Sequence, residues 1–226
     1  MNIEILTGKT TEHLVPLEGT KFLIHKQMLY DFLRLQKDAA ADGFDLKIIS
    51  AFRDFERQLK IWNSKASGER QLLDDQERPL PFDGLSSTEI VFAISRWSAI
   101  PGSSRHHWGT DIDIYDGNTQ TMESVQLVPS ETIGNGPSAK LHEWLDAKIE
   151  NKGAYGFYRP YATDRGGVAP ERWHLSYYSL SRRFMENYTF SLFKKNIEEN
   201  DILLKNVLLE HAHELYQRFF LNIDLP

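Results

Sequence analysis

The chain has 226 residues, enough for one globular domain with a sizeable core, and its 26 Lys+Arg against 32 Asp+Glu give a net charge of −6, which argues against general affinity for nucleic acid or an anionic membrane surface. A hydrophobic content of 41% and a charged content of 26% exclude a disordered or collagen-like chain. Cysteine is absent, so there is no disulfide framework and no cysteine nucleophile, and any metal has to be held by His, Asp or Glu.

The first fifteen residues lack a basic region followed by an apolar run and a small-residue cleavage site. No later stretch approaches membrane-spanning length. The chain as written is therefore expected in the cytoplasm, or exported if its numbering is that of a mature or engineered form. Between about Lys21 and Ala41 the apolar Met28, Leu29, Phe32, Leu35 and Ala39 recur at three- and four-residue spacing, which predicts an amphipathic helix ending near Gly43. Leu46 to Ala51 reads as a short, partly buried strand. Asp54 is placed to cap a helix reaching about Asn63, with Arg53 at the strand-to-helix corner. From Ser64 to Phe82 the chain turns polar and ends in Pro79 and Pro81, as loops do.

Ser86 with Glu89 three residues later is a capping box for a helix to about Trp97. After Pro101-Gly102, Thr110 to Tyr115 alternates as a strand closed by Asp116-Gly117, which puts Asp111, Asp113 and Tyr115 on one face. A helix is expected from about Ser138 to Ile149, ending near Gly153, and a strand from Arg172 to Tyr178. The run from Asp201 to Phe220 reads as helical, with Leu204, Val207, Leu208, His211 and Leu215 on one stripe. Helices first, a few strands in the middle and helices last, without regular βαβ alternation, predict an α+β fold: a single domain with a small, mostly antiparallel central sheet flanked by helices.

Of the eight histidines, His106, His107 and His174 keep acidic company: the first two precede Asp111 and Asp113, and the third follows Glu171. A catalytic zinc takes about three protein ligands and leaves one position open, with nitrogen and oxygen donors where thiols are absent. Two His and one Asp meet that need. A further carboxylate such as Glu171 is suited to accept a proton from the attacking water. The competing reading, a surface His–Asp hydrogen bond, fits either half alone better than both together on two strands.

The segment Ser104-Arg105-His106-His107-Trp108-Gly109-Thr110-Asp111-Ile112-Asp113 resembles the Ser-x-His-x-x-Gly-x-Ala-x-Asp motif of D-alanyl-D-alanine carboxypeptidases of the VanY type. Glu171-Arg172-Trp173-His174 is similar to their Glu-x-Trp-His motif, and Ser50-Ala51-Phe52-Arg53, with Gln58 downstream, to their Ser-x-Tyr-Arg segment. These enzymes stand with lysostaphin-like endopeptidases and the hedgehog signalling domain in one zinc-peptidase group.

The resemblance implies a Zn2+ held by His106, Asp113 and His174, with Glu171 as the catalytic base. It selects His106 over His107, which is left as a neighbour in the cleft wall or a partner behind the ligands. It puts Arg53 near the scissile bond, to anchor a substrate carboxylate or stabilise the developing oxyanion; an ion pair with Asp54 or Glu56 is the bland alternative. Gln58 and Ser104 fall at positions near the substrate, or serve as structural hydrogen-bonding residues. Two departures stand out. Asp111 replaces the usual alanine and so orients a ligand imidazole, binds a substrate ammonium or points away. Phe52 replaces the common tyrosine.

His211 and His213, two apart on a helix, fall on different faces. Arg182-Arg183 and Lys194-Lys195 read as solvated charge, and Trp108 and Trp173 as pocket lining or core. The expectation is one zinc peptidase domain over residues 1–226, with its motifs in a core at 46–180 and a C-terminal helical extension at 181–226. The implied activity is that of a zinc-dependent D,D-carboxypeptidase acting on a peptidoglycan stem peptide or muropeptide. An L,D-carboxypeptidase, a D,D-dipeptidase, an endopeptidase of the same family and a non-catalytic zinc-bearing binding module are the alternatives. Oligomeric state is left open.

Overall fold

A computed structural model describes all 226 residues. After a short helix α1 (Ile3–Leu6), strands β1 (Leu14–Pro16) and β2 (Leu23–His25) form an antiparallel hairpin, and α2 (Leu29–Ala41) leads into β3 (Leu46–Ser50). The helix predicted from Lys21 thus begins only at Leu29. Its first part is strand because Leu23, Ile24 and His25 pair with β1, and the His25 amide donates to the Gly109 carbonyl at 2.8 Å. Asp54 caps α3 (Phe55–Ala66) by accepting from the Arg57 amide. This helix runs three residues past the expected Asn63. The supposed loop that follows contains the two-residue strands β4 (Leu72–Leu73) and β5 (Pro79–Leu80). In α4 (Ser87–Trp97) the Ser86–Glu89 capping box is present in both directions, as the spacing predicts.

A 3-10 turn (Arg105–Trp108) precedes β6 (Asp111–Asp116); then come α5 (Ala139–Glu150), β7 (Phe157–Tyr158) and β8 (His174–Tyr177). The C-terminal part holds α6 (Tyr178–Asn187), α7 (Phe190–Glu199), α8 (Lys205–Glu210) and α9 (Ala212–Leu215), closed by a π turn over Tyr216–Leu221. The continuous helix expected over 201–220 is therefore broken. Leu204 enters it in the left-handed region, at φ 64°, and His211 interrupts it. Within the helical extension expected over 181–226, the sequence set no bounds for α6 and α7, although Thr189 caps the latter by accepting from the Leu192 amide.

The central sheet has the order β3-β6-β8-β7 and every pairing in it is antiparallel, in agreement with the predicted α+β class. All six residues of β6 are buried, yet its two faces do different work because strand side chains alternate. Ile112 and Ile114 join Leu46, Ile48 and Leu175 against Phe32 and Leu35 of α2 and Leu141 and Leu145 of α5. Asp111 and Asp113 face the other way. The ladder sets Asp113 opposite His174 and Asp111 opposite Ser176, and after a register shift between Ile48 and Ser50 it brings Ser50 beside Asp113. On that polar side lies a second apolar cluster built from α3, α4 and the C-terminal helices around Trp62 and Trp108. The 181–226 segment packs into this cluster; the Trp62 indole donates to the Leu203 carbonyl at 3.1 Å. No helix is long and apolar enough to cross a membrane.

Candidate metal centre and cleft

Gly109 makes the approach to the site possible. It holds φ 66°, a region other L residues avoid, and a Cβ there would meet Leu14 Cδ2 at 2.3 Å and the His25 amide nitrogen at 3.1 Å. The tight turn delivers His106 to the end of β6, where it converges with Asp113 and with His174 from β8. All three are buried, and their donor atoms lie within 4.8 Å of one another. His106 Nε2 is 3.4 Å from Asp113 Oδ2, and His174 Nδ1 is 3.2 Å from Asp113 Oδ1.

The outer nitrogen of each imidazole is already engaged. His106 Nδ1 lies 2.9 Å from the Ala51 carbonyl and His174 Nε2 lies 3.0 Å from Asp111 Oδ1. Each ring therefore turns its other nitrogen inward, as metal-ligating histidines do. Asp113 Oδ1, although buried, has no hydrogen-bond partner of proper geometry. Tetrahedral zinc with bonds of about 2.0–2.2 Å sets its donors roughly 3.4 Å apart, so this donor set fits that ion in chemistry and in spacing.

Burial drives His106 down to about 3, which leaves it neutral at physiological pH. Burial also opposes charge on His174, but the Asp111 hydrogen bond and the close carboxylates of Asp111 and Asp113 override it and hold the ring at about 9 in the metal-free chain. Burial raises Asp113 too, and the His106 and His174 rings outweigh that and keep it below the usual carboxylate range. Glu171, on the turn before β8, places Oε2 3.6 Å from His174 Nδ1. Burial, with a further push from Asp113, lifts its carboxyl to about 7 against the pull of His174, Arg53 and Lys65.

These groups open onto a cleft of about 280 Å3 whose lining includes Arg53, Ser104, Tyr161 and Trp173. Arg53 donates from Nη1 to Gln58 Oε1 at 2.8 Å and from Nη2 to Ser50 Oγ at 3.2 Å; the ion pair with Asp54 or Glu56 does not form. Its backbone is bound as well: the Arg53 amide donates to the His106 carbonyl, and the Arg53 carbonyl accepts from His107 Nδ1. His107 is thus a strut between two segments; its Nε2 accepts from the Gly102 amide and no part of the ring lines the cleft.

Two residues read from the sequence as substrate contacts lie elsewhere. Gln58 is fully buried and spans from Arg53 to the Ala99 carbonyl, so it holds the arginine and does not face the cleft. Asp111 is fully buried behind His174, with Oδ2 accepting from Thr110 Oγ1, and is closed to any substrate ammonium. Trp108 is core, while Trp173 reaches the cleft.

Lys65 and Tyr161 escaped the sequence reading. Lys65 lines the cleft and donates to Ser98 Oγ at 2.7 Å, and burial lowers it to about 8. It continues the buried series Phe55, Gln58, Trp62 along α3, and a lysine on an inward stripe was the available signal. The Tyr161 ring packs edge-on against His174 with centroids 5.0 Å apart; nothing in the local sequence marks it.

Residues 21–180 match the family model described as VanY, D-alanyl-D-alanine carboxypeptidase. An uncharacterized protein of Haemophilus influenzae is 46% identical over 100 residues, covering 43% of this chain and 68% of that one. A structure of VanYB in complex with D-alanine-D-alanine superposes with a TM-score of 0.53 at 22% identity, covering 83% of this chain and 89% of its own. A VanY variant from a VanB-type resistance cassette, in complex with Zn(II), gives a TM-score of 0.53 at 22% identity over 88% of this chain and 92% of its own. These two likenesses show the fold.

Proposed function

The chain belongs to the VanY family of D-alanyl-D-alanine carboxypeptidases, which are hydrolases, and we propose that it is a zinc-dependent D,D-carboxypeptidase that removes the terminal D-amino acid from peptidoglycan stem peptides. The observation that carries this reading is Glu171: a buried carboxylate poised 3.6 Å from a His–Asp–His cluster, in the same cleft as a fixed arginine. A site used only for recognition has no evident need of such a base.

His106 through Nε2, His174 through Nδ1 and Asp113 would hold the ion. Zinc, when bound, supplies Lewis acidity that polarises a peptide carbonyl and makes a water nucleophilic near neutral pH. Glu171 takes the proton of the attacking water on its carboxylate and returns it to the departing amine, a task suited to a carboxylate lining the cleft beside the ligand cluster. The Arg53 guanidinium, clamped by Gln58 and Ser50, offers a preset positive charge to the oxyanion or to the substrate's terminal carboxylate. A group already locked in place loses little entropy on use. The D-Ala-D-Ala bound in the VanYB structure and the Zn(II) in the VanY variant support this substrate class and this metal.

The test is incubation of the full chain with muropeptides, with zinc and with chelator, read by mass spectrometry. Loss of one terminal D-alanine that stops on chelation is the expected result. Cleavage between peptide branches would reassign the chain as an endopeptidase, and unchanged muropeptides would leave only recognition.

A further inference from the structure

The proposed chemistry leaves one buried ion pair without a task. Arg105 and Asp111 have side chains only 3% and 0% exposed, with Arg105 Nε 2.8 Å from Asp111 Oδ1. Taking two ions out of water costs several kcal/mol each, and an apolar pair of similar volume often serves stability as well or better. The pair is also specific to its setting: Asp111 stands where the motif it resembles carries alanine.

Its contacts converge on one ring. Asp111 Oδ2 is taken by Thr110 Oγ1 at 2.7 Å, while Oδ1 receives both Arg105 Nε and, at 3.0 Å, His174 Nε2. Arg105 is fixed in turn: Nη2 donates to Ser176 Oγ at 2.7 Å and to the Tyr158 hydroxyl at 3.2 Å, and the guanidinium lies over the Trp108 ring at 5.0 Å. Since Asp111 and Ser176 face each other across the β6–β8 ladder, the arginine bridges the pair next to Asp113 and His174. The other imidazole, His106, is oriented by a neutral backbone carbonyl; His174 alone has a carboxylate behind it.

We propose that Asp111, locked by Arg105, is the positioning residue of His174: it accepts the Nε2 proton, fixes the rotation of the ring and so presents Nδ1 as the nitrogen facing Asp113 and Glu171. Carboxylates in this position raise the donor strength of an imidazole as well as orienting it. The inference rests on the assignment of His174 as a metal ligand.

The experiment compares two double variants of the full chain that share charge and lack Arg105 alike: Asp111→Ala with Arg105→Met, and Asp111→Asn with Arg105→Met. Removing both charges avoids stranding either ion, and circular dichroism checks the fold. Zinc affinity is read by competition with a chromogenic chelator. The alanine pair is expected to bind zinc about 10–100-fold more weakly than wild type, and the asparagine pair, which keeps an oxygen acceptor for Nε2–H, to recover most of that loss. Equal affinities in the two would overturn the proposal. Zinc-loaded wild type gives a reading that needs no variant: His174 must carry an Nε2 proton shielded from solvent exchange in proton–nitrogen correlation spectra, and a bare Nε2 sinks the idea. Failure of wild type to bind zinc at all would instead strike the assignment of the metal centre.

Discussion

Replacing Gly109 by alanine tests the claim that one backbone conformation delivers His106 to the sheet. Two costs arise. An L residue at φ 66° pays roughly 1–2 kcal/mol for the left-handed region alone. The new methyl also meets Leu14 Cδ2 at 2.3 Å and the His25 amide nitrogen at 3.1 Å. The half-buried leucine can rotate aside, but the amide belongs to β2 and donates to the Gly109 carbonyl itself, so crowding there adds about 1–2 kcal/mol. Together these give about 2–4 kcal/mol, which for a chain of this size lowers Tm by about 4–16 °C. Gly19→Ala is the control. Gly19 has φ 73°, and a methyl placed there would find nothing within 4 Å, so its loss is the left-handed cost of about 1–2 kcal/mol and no more. Melting of both variants by circular dichroism decides the matter. Equal shifts would show that the close approach to His25 contributes nothing, and the argument from the turn would fail.

Glu171→Gln should lower the hydrolytic rate by about 10²–10⁴ while zinc stays bound, and Asp113→Ala should lose the metal outright; elemental analysis alongside the muropeptide assay reads both. Trp62→Ala removes a fully buried ring and its bond to the Leu203 carbonyl, at a cost of about 3–5 kcal/mol by urea unfolding; a loss below about 1 kcal/mol would mean the C-terminal helices are not part of the same cooperative core. His107 is fully buried, and burial depresses it from 6.5 to about 4. The unfolded chain therefore binds this proton first. The histidine leaves stability intact above pH 6.5 and subtracts from it as pH falls toward 4, by about 3 kcal/mol in full. Urea titrations of metal-free protein at several pH values should show that slope, flattened in His107→Gln; parallel slopes would refute it.

The site was legible because its residues sit in short motifs whose spacing reflects local geometry. The strand alternation puts Asp111 and Asp113 on one face, and the ladder with β8 then brings His174 against them. The Ser86–Glu89 box is readable for the same reason, being complete within four residues. What escaped depends on partners distant in the chain. Gln58 looks like a substrate contact because nothing nearby announces that the Ala99 carbonyl, 41 residues on, takes its amide. Leu23 to His25 carry on the helical spacing of the residues after them, and only pairing with β1 makes them strand. Asp111 stands out in the sequence as an oddity, with the orienting of a ligand imidazole as one of several options. What decides among them is His174, 63 residues on and in another strand, whose Nε2 lies 3.0 Å from Asp111 Oδ1.

The reciprocal bonds between Arg53 and the His106-His107 segment have a consequence for how such an enzyme diversifies. The arginine's amide holds the His106 carbonyl, and its own carbonyl is held by His107, so the wall that carries positive charge and the turn that carries His106 are one mechanical unit. A shift of the backbone at Arg53 would move the His106 turn in the same stroke, whereas a change of side chain there leaves both bonds in place. The opposite rim is free of that coupling. Gln126 and Leu127 reach the cleft from a loop whose amides hang on the carboxylate of Glu131. Loop shifts that reshape the cleft should therefore be borne more easily on that rim than along the Arg53 backbone, where any displacement carries the His106 turn with it.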